Sequence, residues 1–113
     1  MAMKNLINLD SDGDVTYGNH VLLSIVKLAT QEISGVGSLQ GKGVRINVLG
    51  NVVNVSVSIN VFYGVSCADV AFRIQNNIKR NIETSTVYKA GKIDVNILGV
   101  EFQENKDGPI ELL

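Results

Sequence analysis

From Val52 to Val61 the chain reads VVNVSVSINV. Val53, Val55, Val57, Ile59 and Val61 share one parity, and Asn54, Ser56, Ser58 and Asn60 share the other. An unbroken period of two fits a strand with one buried face and one wet face. All five inward residues are β-branched, which suits a pleated surface. Burying each contributes about 1.5–3 kcal/mol before chain ordering is subtracted. Whatever this chain folds into must cover that face.

The preceding residues supply a partner. Val44 to Leu49 alternates in the same way, and Gly50-Asn51 is a two-residue hairpin signal. With that turn Leu49 faces Val52, Val48 faces Val53, Asn47 faces Asn54, Ile46 faces Val55, Arg45 faces Ser56 and Val44 faces Val57. Apolar meets apolar and polar meets polar, so a one-residue slip would undo the matching. A further strand is expected from Ile93 to Val100, with Ile93, Val95 and Ile97 inward and a bulge at Gly99. Val15 to Tyr17 forms a short first strand.

Two helices are expected. Asn19 to Ile33 has Leu22, Ile25, Val26, Ala29 and Ile33 on one stripe, with Asn19 as N-cap. Ser66 to about Thr84 has Val70, Ala71, Ile74, Ile78 and Ile82 on its core stripe, with Ser66 and Asp69 resembling a capping box. Ser34 to Gly43 and Ser85 to Gly91 read as connections. The order is β-α-β-β-α-β. The expected fold is a two-layer α+β sandwich, two helices on one face of a mixed or antiparallel sheet. Residues 1–12 form a flexible segment, 13–103 a single domain and 104–113 a tail. The opposite sheet face keeps Arg45, Asn47, Asn54, Ser56, Ser58, Asn60, Asp94 and Asn96.

Composition narrows the chemistry. The chain has 113 residues, ten basic and eleven acidic, for a net charge of −1, so no charge excess points to nucleic acid or an anionic membrane. A single cysteine and a single histidine leave no internal disulfide, no Cys-rich or multi-histidine metal site and little room for a triad. His20 lies on the polar side of the first helix. Cys67 falls on the core stripe of the second and is expected to be a small buried hydrophobe. Asp12-Gly13-Asp14 lacks the later ligands of a calcium loop and reads as a turn. Gly35-Val36-Gly37 and Gly41-Lys42-Gly43 lack the strand–loop–helix context of a phosphate loop. No catalytic set, cofactor site or metal site is expected.

The surface offers two candidate contact regions. Phe72 lies off the core stripe beside Lys79 and Glu83, either packed under the loop after the first helix or anchoring a self- or partner interface. Arg73, Lys79 and Arg80 with Asn76 and Asn77 make a moderately basic helix face, the basis for an alternative reading as an RNA-binding module. The polar sheet face of Asn54, Ser56, Ser58 and Asn60 carries no aromatic platform for bases.

From Gly13 to Phe102 the chain resembles the bacterial alkaline shock protein family, also called the general-stress or envelope-stress family. The resemblance is carried by Gly13-Asp14-Val15-Thr16, by Ala29 with Gln31-Glu32-Ile33-Ser34-Gly35-Val36, and by Tyr63-Gly64-Val65. It continues through Val70 with Ile74-Gln75 and Ile78, and through Ile93-Asp94-Val95-Asn96-Ile97-Leu98-Gly99-Val100. Ser85-Thr86 stands where the family usually has Thr-Gly. The resemblance implies a small cytoplasmic protein of Gram-positive-type bacteria without known catalysis. It also implies a scaffold or adaptor in cell-envelope or lipid-metabolism homeostasis. A protein partner is implied, for some members a small membrane-anchor protein that holds them peripherally at the membrane, as is self-association.

Overall fold

A computed structural model describes residues 7–9 and 15–103. The expected turn at Asp12-Gly13-Asp14 and the expected tail from Glu104 lie outside the described residues. The elements are β1 (Ile7–Leu9), β2 (Val15–Tyr17), α1 (Asn19–Gln31), β3 (Val36–Leu49), β4 (Val52–Phe62), α2 (Cys67–Ser85) and β5 (Lys89–Glu101). The architecture is α+β: α1 and α2 lie on a three-stranded mixed sheet of order β3-β4-β5. β1 and β2 pair with each other, Ile7 opposite Tyr17, in a separate antiparallel ribbon. The expected first strand therefore stands outside the main sheet.

β4 is the middle strand. Its inward residues Val53, Val55, Val57, Ile59 and Val61 are all buried. β3 joins it antiparallel in the register the sequence implies, from Leu49 opposite Val52 to Val44 opposite Val57. β5 joins it parallel, which requires a crossover, and α2 supplies it. α1 contributes Leu22, Val26 and Ala29 to the core, and α2 contributes Val70, Ile74, Ile78 and Ile82.

Several local readings change. Strand β5 begins at Lys89, inside the second stretch expected to be a connection, four residues before the expected Ile93. Strand β3 begins at Val36, inside the stretch expected to be a connection. Val36 opposes Val61 and Leu39 opposes Ile59, and the ladder then resumes at Val44 opposite Val57. Five residues of β3 thus answer two of β4, and Gly41 and Gly43, at φ of 57° and 68°, absorb the excess in a backbone region that side chains disfavour. The N-cap of α1 is Gly18 rather than Asn19, and it carries no side-chain bond. Cys67 is exposed, because the first turn of α2 projects past the buried stripe. Ser66 does cap α2, its Oγ accepting from the Asp69 N–H at 3.2 Å.

A buried amide joins the helices. Asn77, 6% exposed, donates from Nδ2 to the Ala29 carbonyl at 2.7 Å and to Glu32 Oε1 at 3.0 Å. Its Oδ1 accepts from Arg80 at 2.7 Å and from Asn81 at 3.2 Å. Each polar atom of the side chain is bonded, which is the condition for holding an amide inside a core.

Candidate functional site

The sheet face opposite the helices carries the polar residues the alternation assigns to it. Asn54, Ser56, Ser58 and Asn60 are all half-buried. Asn54 Oδ1 accepts from the Lys92 N–H at 2.8 Å, and Asn96 Nδ2 donates to Ser56 Oγ at 3.3 Å. At the hairpin end a shallow hollow of about 390 Å³ is lined by Arg45, Asn47, Asn54, Ser56, Lys92 and Asp94. Leu49 and Leu98 are exposed large apolar residues of the same parity as this face.

The other end of this face holds a network that the sequence did not reveal. Glu101 Oε2 accepts from Ser38 Oγ and from Asn60 Nδ2, the latter at 3.0 Å. Gln40 Nε2 donates to Ser38 Oγ at 2.7 Å. One carboxylate thereby ties β3, β4 and β5 together. The Ser38 bond and then the Asn60 bond hold the Glu101 carboxyl below the usual glutamate range, against a smaller opposing push from burial. The available signal was the bulge expected at Gly99, since an extra residue changes the facing of those that follow. β5 gains one residue there, so Glu101 falls opposite Phe62 on the polar side.

The residues expected to form one basic helix face are divided. Arg73 is paired with Asp69 at 3.1 Å, both well exposed. Arg80 is bonded to the buried Asn77. These lie toward α1. Lys79 lies on the opposite flank, where Phe72, Gln75, Lys79 and Glu83 recur at helical spacing and face β5. Gln75 Nε2 donates to the Ile93 carbonyl at 3.0 Å, and Glu83 Oε2 accepts from the Ala90 N–H at 3.1 Å. Asn76 points out between the two flanks and is exposed. Phe72 is 62% exposed, so it is not packed beneath the loop after α1. His20 is exposed.

Beside the sheet end, the Tyr63 and Phe102 rings stack with centroids 5.1 Å apart. A hollow of about 300 Å³ opens there between the end of α1 with the connection to β3 and the turn that follows β4, with Tyr63 in its lining. Among the described residues no group of three or more His, Cys, Asp or Glu could hold a metal ion. No helix there is long and apolar enough to cross a membrane.

These features define a small α+β domain whose polar sheet face is covered by no other element among the described residues. The same fold occurs in solved structures of the MamM C-terminal domain. A copper form matches with a TM-score of 0.62 at 13% identity, over 74% of this chain and 100% of that one. A nickel form matches with 0.60 at 13% identity, over 73% and 99%. At such identity the likeness concerns the fold. In sequence, the family model of the alkaline shock protein 23 family, with cell envelope-related function, matches residues 37–102. The chain belongs to that family. A relative, the uncharacterised protein YqhY of Bacillus subtilis (strain 168), is 25% identical over 122 residues, covering 90% of each chain.

Proposed function

We propose that this chain is a non-enzymatic, cytoplasmic scaffold or adaptor that works by protein–protein contacts in cell-envelope or lipid-metabolism homeostasis. The supporting observation is the sheet face opposite the helices, on which Asn54, Ser56, Ser58 and Asn60 stay half-exposed beside Leu49 and Leu98. Such a mixture of adaptable hydrogen-bonding groups and exposed apolar side chains suits contact with a protein surface. The cell envelope-related function of the family supplies the setting. The partner is a protein, in one form a small membrane-anchor protein that keeps the chain peripheral at the membrane, and the chain also self-associates. Phe72, Asn76 and Lys79 make a second, separate contact region on α2, on the other side of the sheet.

The test is capture by crosslinking in bacterial cells, with a tagged full chain and a Ser56→Lys/Ser58→Lys variant that keeps the fold by circular dichroism. A membrane-held partner should be recovered with the parent chain and lost with the variant. Equal recovery by both, or none by either, overturns the reading. RNA contact through α2 is not favoured, since Arg73 and Arg80 are bonded within the chain and lie on the other flank from Lys79.

A further inference from the structure

We propose that β5 is a self-recognition strand: its outer edge pairs antiparallel with β5 of a second copy of this chain, about a two-fold axis through Val95. This pairing deepens the scaffold reading, on which it rests, by naming the surface and register of the self-contact. Among the described residues β5 has β4 on one side and no strand on the other, so its outer main-chain groups are a template for a further strand.

β5 carries two irregularities, and they are mirror images about Val95. From Ala90 to Ile93 the strand spends three steps while β4 spends two, from Val53 to Val55. From Ile97 to Val100 it again spends three while β4 spends two, from Ile59 to Val61. By register the residues of β5 on the helix-side parity are therefore Ala90, Ile93, Val95, Ile97 and Val100, a set that maps onto itself when the strand is reversed; the first four pack against the core and Val100 is exposed. The glycines obey the same symmetry. A Cβ on Gly91 would stand 2.6 Å from Val52 Cγ1, close also to Asn54, and one on Gly99 would stand 2.9 Å from Asn60 Oδ1.

The side chains follow the backbone. Read from both ends of KAGKIDVNILGVE, Lys89 answers Glu101, Ala90 answers Val100, Gly91 answers Gly99, Ile93 answers Ile97, Asp94 answers Asn96, and Val95 meets its own copy. Lys92 opposite Leu98 is the one pair of unlike chemistry, and an alkyl stem can lie over an exposed leucine. Cross-strand matching of this kind is what fixes an antiparallel register. An isologous pair needs a surface that complements itself, and a strand that reads alike in both directions meets that need. It selects a second copy over a foreign strand.

Phe72 adds an anchor. α2 runs antiparallel to β5, since Glu83 bonds at Ala90 and Gln75 bonds at Ile93. Phe72 lies three residues before Gln75, about 4.5 Å along the helix, where strand residues advance about 3.3 Å each. That brings it over Asp94 and Val95, beside the axis. Two such rings, each 62% exposed in the single chain, flank the join and lose contact with water there. The bonds from Gln75 and Glu83 to β5 are exposed, single and replaceable by the partner's main chain.

The experiment uses the full chain with Cys67→Ser as background. Val95→Cys should crosslink to its own copy under mild oxidation, because facing residues of an antiparallel pair hold their Cα atoms about 4.5–5.5 Å apart, within disulfide reach. Asp94→Cys and Asn96→Cys should crosslink rapidly when mixed and slowly when alone. Sedimentation should show a dimer for the parent chain and, for Phe72→Asp, dissociation at least about tenfold easier with an unchanged circular dichroism spectrum. A dimer whose crosslinks ignore this register overturns the inference and leaves the scaffold reading standing. So does a monomer that still captures an envelope partner. A monomer whose β5 amides exchange slowly assigns the edge to the chain's own residues 104–113 and also overturns it. A monomer with no partner removes both.

Discussion

Asn77 Nδ2 donates to the main-chain oxygen of Ala29 across 2.7 Å, and with this bond α2 holds α1 through a residue 48 positions away in sequence. Asn77→Ala would strip partners from a buried carbonyl, from Arg80 and from Asn81 at once. A buried acceptor left unsatisfied costs about 1–3 kcal/mol. Urea unfolding should show a lower midpoint by that amount with an unchanged slope. A loss under about 0.5 kcal/mol, as at ordinary surface positions, would mean that the helices are held by the apolar core alone.

Glu101 makes the fold sensitive to acid. Its carboxyl is held below the ordinary glutamate range by Ser38 and then Asn60, so the folded state favours the ionised form more than the unfolded state does. The stabilisation is present above the unfolded-state pKa and is lost as pH falls through the lower, folded-state value. Glu101→Gln should be less stable than the parent at neutral pH, and the gap should close on acidification through the glutamate range. Paired urea titrations across that range measure it; a gap independent of pH would remove the carboxylate from the account.

The bulge glycines of β5 should rank in a defined order. A methyl at Gly91 meets Val52 Cγ1 at 2.6 Å as well as Asn54, while one at Gly99 meets mainly the end of the Asn60 side chain. Gly91→Ala should cost about 1–3 kcal/mol, the usual range for forced overpacking. Gly99→Ala should cost less, because the Asn60 amide is the end of a side chain that can rotate aside, whereas the β-branched Val52 met at Gly91 has few rotamers to move into. The reverse order in thermal unfolding would contradict this packing.

Cys67 should behave as a surface thiol. It is exposed in the first turn of α2, so a thiol reagent should titrate it in the native protein without unfolding. Cys67→Ser should shift stability by less than about 0.5 kcal/mol. A thiol that reacts only in denaturant would restore it to the core.

The sequence carried much of the sheet because its period is strict. The six pairings from Leu49–Val52 to Val44–Val57 follow from alternation and one Gly-Asn turn. Legibility fails where a residue type has two uses. Glycines at 41 and 43 signal a connection, yet here they let β3 buckle while Val36, Leu39 and Val44 keep their partners on β4. Helical angle put Cys67 on the buried stripe, but angle says nothing about where along its axis a helix leaves the core. Asn77 sits among basic residues in sequence, and only the approach of Ala29 makes it a core residue. Of the candidate contact surface, the polar parity of β4 was readable. The binding of Glu101 to Ser38 and Asn60 was not, because it spans three strands and depends on one extra residue in β5.

The two margins of the sheet are unequal. β5 keeps an unbroken register with β4 from Ile93 to Ile97, between its two irregularities, whereas β3 buckles between Leu39 and Val44, with two left-handed glycines in the kink. A crooked border gives an arriving chain no regular row of amides and carbonyls to follow. Among the described residues edge addition therefore has one regular site, and the β5 pairing proposed above would occupy it, so such a pair would stop at two copies.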